Sequence, residues 1–218
     1  MLYEKVRDNE RIRALIKGAD NALLALGYTE HSFAHAGKVA DTTGYILETL
    51  GYTEHEVDIG KTAALLHDIG NLVNRVDHGH SSALMAFTLL ENMCVAPSDI
   101  AVIVSAIGNH DESTGVPVSP IAAALILADK ADVRRSRVRN PENPGNDIHD
   151  RVNYSAKDSI LKINEAKTII KLKLTVDTRF GSVMDYFEIF LDRMILCRKA
   201  AEKLGLQFKL IINEQQLI

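Results

Sequence analysis

Ala63-Ala64-Leu65-Leu66-His67-Asp68-Ile69-Gly70 is an apolar run that ends in an adjacent histidine and aspartate. Neighbouring positions on a helix point about 100° apart, so the two side chains do not share a face. At a helix end both can still reach one metal ion, and the second oxygen of Asp68 can bridge to another. Taken alone, the pair reads equally well as a satisfied structural His–Asp contact. Its weight comes from His35, His80, His110 and Asp129, which fall on or near the ends of other helix-like segments. Imidazole and carboxylate are ligands for Zn, Fe, Mn, Co or Ni, and a helical bundle can direct such groups inward from several helices.

Working outward, hydrophobic spacing predicts helices over residues 3–26, 32–50 and 53–69, the last opened by a capping box at Thr53 and Glu56. Further helices are expected over 81–93, over 97–109 and from Ser119-Pro120, with Ser119 as cap. Residues 140–147, Asn-Pro-Glu-Asn-Pro-Gly-Asn-Asp, form a turn-rich stretch that reads as a connector or a lid. Beyond it, 159–163 and 168–176 read as strands joined by a turn at 165–167, followed by a helix over 182–204 and a strand over 208–212. Met184, Phe187, Phe190, Leu191 and Met194 are expected to form the core face of that last helix. The fold class is therefore mainly α, a helical bundle with a small C-terminal ββαβ element. The division expected is 1–139 for the bundle, 140–157 for a linker and 158–218 for the appendage.

The chain has 218 residues, 46% hydrophobic and 25% charged, with a net charge of −4. That suits one globular unit with a sizeable core and gives no electrostatic case for nucleic-acid binding. The N-terminus lacks an apolar signal core, and no apolar run approaches the ~20 residues of a membrane span. A cytoplasmic protein without membrane contact is expected. Cys94 and Cys197 make no zinc-type spacing or disulfide framework and are expected as buried free thiols. Strand 168–176 alternates apolar residues with Lys171 and Lys173, so one face is solvated. It could extend a sheet across a homodimer, with a monomer as the simpler reading.

The order of motifs resembles the HD-domain superfamily of metal-dependent phosphohydrolases. The matching pieces are His35-Ala36-Gly37-Lys38-Val39-Ala40, then Leu65-Leu66-His67-Asp68-Ile69-Gly70, His80 before a helix, Asn109-His110-Asp111-Glu112 and Leu127-Ala128-Asp129-Lys130. The resemblance covers about residues 30–135 and is closest to members with a two-metal site. It implies that His35, His67, Asp68 and Asp129 bind one divalent transition metal, and that Asp68 bridges to a second held by His80 and His110. Two positions depart from the pattern. Asn109 stands where the cyclic-di-nucleotide phosphodiesterases carry a histidine, and their GYP signature is absent. Asn71 stands where many members carry lysine.

The implied activity is cleavage of a phosphate ester or anhydride of a small molecule, a nucleotide above all, by metal-activated water. Asp68 and Lys38 are the catalytic candidates, Lys38 because it lies one turn beyond His35. Lys130, Arg134 and Arg137 recur at helical spacing after Asp129 and could rim a phosphate site, as could Arg75. The plain alternative for the basic run is a solvated helix face. His31 reads as an exposed helix-start residue, His80 is preferred over His78 as ligand, and His55 and His149 are expected at the surface. Asn71 and Asn109 favour the alternative of a non-catalytic metal- or nucleotide-binding sensor. A diiron oxygenase is the third reading.

Overall fold

The computed structural model describes residues 1–139, 148–180 and 182–217, without the side chains of residues 148, 149, 151 and 183. The turn-rich stretch 140–147 and the surface expectation for His149 lie outside the described residues.

Two helices, α1 (Leu2–Arg7) and α2 (Glu10–Ala25), stand where hydrophobic spacing predicts one. Asn9 divides them: its backbone is extended and its side-chain oxygen accepts from the Arg11 and Ile12 amides, an N-cap. Helix α3 (Phe33–Leu50) is capped by Ser32 and ends at Gly51, whose φ of 87° is the left-handed stop expected of glycine. The Thr53–Glu56 capping box opens α4 (Glu54–Leu66). This helix stops at Leu66, just before His67 and short of the expected end at Ile69, and Ile69–Leu72 form a 3₁₀ turn.

Helix α5 (His78–Asn92) starts three residues earlier than expected. Pro97 and Pro120 occupy first-turn positions of α6 (Pro97–Gly108) and α7 (Pro120–Ala131). The chain leaves helical geometry after Ala131, with a 3₁₀ turn at Arg135–Arg137. Lys130, Arg134 and Arg137 therefore share no helix face.

Within the span expected as a linker, the described residues 148–157 are structured. Helix α8 (Ile148–Ser155) runs directly into strand β1 (Ala156–Ile163). The hairpin to β2 (Ile169–Val176) is closed by Asn164, whose side chain accepts from the Thr168 and Ile169 amides. Helix α9 (Val183–Lys203) then crosses to β3 (Gln207–Ile212), parallel to β2, and β4 (Gln215–Gln216) adds a short edge. The sheet order is β1-β2-β3-β4. Strand β2 is thus internal, with both edges paired. It cannot extend a sheet across a dimer, as its alternating pattern suggested; that pattern reflects one buried face, Ile170, Leu172, Leu174 and Val176, and one solvated face.

Helix α7 is apolar on every side and is buried throughout Ile121–Ala128, as a helix at the centre of a core must be. It packs against α3, α4, α6 and α9. The face α9 presents is Tyr186, Phe190, Met194, Cys197, Ala200 and Ala201. Met184 and Leu191, expected on that face, are exposed at 73% and 50%. The bundle and the ββαβ element share one continuous hydrophobic core. Truncating Phe190 at its centre costs about 3–5 kcal/mol by the usual cavity arithmetic.

Of the two cysteines, Cys197 is buried and Cys94, expected buried, is exposed. Among the described residues no helix is long and apolar enough to cross a membrane.

Candidate metal centre

The last carbonyls of a helix have no intrahelical donor. Two histidines exploit this. His67, just past α4, donates through Nδ1 to Ala64 O at 2.7 Å, and His110, just past α6, donates through Nδ1 to Ile107 O at 2.6 Å. His78, in the first turn of α5, has Nδ1 at 3.2 Å from Arg75 O. His35, inside α3, donates through Nδ1 to Asp132 Oδ2 at 2.8 Å. Each imidazole thus has an oxygen acceptor at Nδ1, which fixes the tautomer and leaves the Nε2 lone pair free for a metal.

All four Nε2 atoms converge on Asp68 and Asp129. Asp68 Oδ2 lies 3.6 Å from His35 Nε2 and 3.2 Å from His67 Nε2. Asp129 Oδ1 lies 3.3 Å and 3.6 Å from the same two atoms. The other oxygen, Asp68 Oδ1, faces His78 Nε2 at 3.3 Å and His110 Nε2 at 3.8 Å, and those two nitrogens are 3.2 Å apart. Donors bound at 2.0–2.2 Å to one ion are about 3.0–3.6 Å from each other, close to the 3.2–3.8 Å of these contacts.

A second observation supports the fit. Nε2 of His35 and of His67 are fully buried and have no hydrogen-bond partner, a costly state for a polar atom without a ligand. The ligand atoms of His35, His67 and Asp129, and those of His67, Asp68 and His110, form two groups with every separation within 4.8 Å.

The electrostatics suit a cation. Burial opposes ionisation of Asp68 and Asp129, yet nearby His67 for the first and Lys130 for the second hold both carboxyls well below the usual range. Burial likewise disfavours the His67 imidazolium, but Asp68 and Asp129 overcome it and push its pKa up to about 10. Burial, reinforced by the charges on His67 and Lys130, pushes His110 down to about 3. The His67 proton and the Lys130 ammonium together offset the two carboxylates of the metal-free centre.

The cleft over this centre has a volume of about 60 Å³, and Arg75, Lys130, Arg137 and Arg193 are among the residues lining it. Lys130 is spent on ion pairs to Asp129 Oδ2 at 2.7 Å and Glu112 Oε2 at 2.6 Å. Arg137 donates from Nε to Glu30 O and from Nη1 to Asp132 O. Arg75 places Nη1 at 3.3 Å from Asn71 Oδ1.

Three expected site residues lie elsewhere. His80 is largely exposed, 3.9 Å from Asp77. Because α5 begins at His78, His78 takes the inward position, and His80, about 200° further round the helix, faces solvent. Lys38 lies on the far side of Asp132, paired to its Oδ1 at 2.9 Å, and lines a separate groove between α3 and β1. Arg134 is held away from the cleft by Asp132 and Glu30.

Other residues were underestimated. His31 lines the cleft, its Nδ1 donating to Thr29 O at 2.7 Å, where solvent exposure was expected. Asn109 replaces no ligand: its amide donates to Ser105 O, and the second set is completed by His78. Asn71 donates to Asp68 Oδ1 at 3.0 Å and so orients the shared carboxylate. Asn153 and Arg193, from α8 and α9, reach the same cleft. The only sequence signal for Arg193 is a charge beside the apolar stripe of α9. His55 is at the surface, bonded to Asp99, as expected.

Residues 32–135, which carry five of these six metal-facing positions in the expected order and the sixth at His78, match the family model described as HD domain. This segment is similar to an HD domain. The HD domain defines a superfamily of metal-dependent hydrolases whose members bind divalent metals, and the His/Asp centre is built almost wholly from it. The chain is also similar to the "Uncharacterized protein MJ1020" of Methanocaldococcus jannaschii, 29% identical over 164 residues. That match covers 65% of this chain and 62% of the relative's length.

Proposed function

We propose that this chain is a phosphohydrolase that cleaves a phosphate ester or anhydride of a small molecule, with nucleotides the first class to test. The observation that carries this reading is the division of Asp68: one oxygen faces His35 and His67, and the other faces His78 and His110. Bound divalent ions would supply Lewis acidity toward water and neutralise charge on a phosphoryl group.

The chain's own residues supply the rest. Asp132 and the helix-end carbonyls hold the imidazoles in one tautomer. Asn71 fixes Asp68. Arg137, buried and pinned at two nitrogens, offers its remaining Nη2 hydrogens without having to be ordered first. Arg75 offers a second charged donor, its guanidinium stacked 5.7 Å over the Tyr28 ring. Phosphoryl transfer asks for positioning and charge stabilisation above all, and a narrow cationic cleft above two ligand sets provides both.

The test is a screen of phosphomonoesters, phosphodiesters and nucleoside polyphosphates with the protein as purified and after loading with Mn, Fe, Zn, Co or Ni. Turnover that vanishes in Asp68→Ala supports the reading. Nucleotide binding without turnover in any metal would point to a sensor, and O2-dependent oxidation with iron would point to an oxygenase.

A further inference from the structure

We infer that Arg193, on α9 and outside the HD domain, is a phosphoryl-binding residue of this cleft, so that the C-terminal ββαβ element completes the site. The inference rests on the reading of the cleft as a phosphate site.

Arg193 lines the cleft together with Asp68, Asp129 and His110. Its guanidinium is fixed at one corner. Nε donates to Glu112 Oε1 at 2.7 Å, and the guanidinium carbon lies 4.6 Å over the Phe190 ring. Neither Nη1 nor Nη2 is engaged by this contact, and a guanidinium presents these paired donors in the flat fork that matches two oxygens of a phosphoryl group. Lys130, by contrast, is held between two carboxylates, Asp129 and Glu112. It serves to orient Asp129 more than to meet a ligand.

Glu112 joins these elements. One oxygen holds Arg193 and the other holds Lys130, which in turn holds Asp129 Oδ2. A chain of three ion pairs therefore sets the position of α9's arginine relative to a carboxylate of the metal centre. The Phe190–Met194 core against α7 keeps the helix in place. An arginine placed for structure alone would be expected to engage acceptors with its terminal nitrogens as well, as Arg139 does with Asp20 and Thr29.

The probe is inorganic phosphate, titrated calorimetrically into the full-length, metal-loaded protein and into Arg193→Gln and Arg193→Lys, with thermal midpoints recorded for each. Arg193→Lys keeps a cation for Glu112 but loses the fork. Phosphate binding weakened about tenfold or more in both variants, with the lysine variant folded and its metal content unchanged, supports the assignment. In turnover the same variants should raise KM for a phosphorylated substrate. Unchanged phosphate affinity in a folded Arg193→Lys, with stability lost only in Arg193→Gln, would make the residue structural and overturn it. If the parent protein binds phosphate but hydrolyses nothing, the assignment stands while the hydrolase reading fails. If the parent binds no phosphate, both fail.

Discussion

His35 Nδ1 and Asp132 Oδ2 are 2.8 Å apart, with both residues almost fully buried. This contact turns the lone pair of His35 Nε2 toward Asp68 and Asp129. Asp132 also pairs with Lys38 and Arg134 and accepts no ligand role of its own. Carboxylates behind metal-binding histidines are typically worth about 10–100-fold in metal affinity. Asp132→Ala should weaken metal binding by that order, read by competition with a chromophoric chelator, while an unchanged affinity would show that Asp132 serves packing alone.

His78 and His80 separate the two possible constructions of the second ligand set. His78→Ala removes the nitrogen 3.3 Å from Asp68 Oδ1. It should lower the metal content by about one ion per chain and abolish activity that needs the pair. His80→Ala alters only an exposed side chain and should leave stability within about 0.5 kcal/mol of the parent. Metal analysis of the two variants side by side decides; the reverse pattern would restore His80 as ligand.

Metal uptake should release protons. His67 is held near pKa 10 in the metal-free protein, first opposed by burial and then driven up by Asp68 and Asp129. At pH 7 it is therefore protonated, and an ion must displace that proton to reach Nε2. Apparent affinity should rise with pH up to about 10 and flatten above it. Calorimetry in buffers of different ionisation enthalpy measures the count directly, and binding with no net proton release at pH 7 would contradict this picture.

Gly70 has no room for a side chain. A Cβ there would overlap His78 O and Ser82 N, both backbone atoms that cannot swing aside. The same approach lets Gly70 N donate to Ser82 Oγ at 2.8 Å. Gly70→Ala should therefore destabilise the fold by about 1–3 kcal/mol. Because the strain falls on the first turn of α5, it should also weaken the metal site served by His78. Thermal denaturation followed by metal titration measures both effects, and an unperturbed variant would mean that the turn yields more easily than its packing implies.

What was legible in the sequence follows from how local each cause is. Caps act within one turn, so Ser32, Thr53–Glu56 and Ser119-Pro120 mark their helices well. Asp68, His67, His35, His110 and Asp129 were legible because motif order carries the resemblance across the fold. The start of α5 was not, because it is set by a left-handed Asp77 and by the approach of Gly70 to Ser82, both tertiary effects. That shift exchanged His78 for His80. Lys38 fell on the wrong side because one helical turn does not return to quite the same face, and Asp132 was waiting there. Arg193 was invisible for a different reason: no local pattern links the middle of α9 to a centre built from α3, α5, α7 and the ends of α4 and α6.

The most direct test of the centre is the metal content of full-length protein purified without chelator or metal-affinity resin, measured by elemental analysis per chain. Two transition-metal ions per chain are expected, falling to at most one in His78→Ala. A value of one in the parent protein, unchanged in His78→Ala, would contradict the bridging role of Asp68. No metal even after reconstitution would contradict the centre itself.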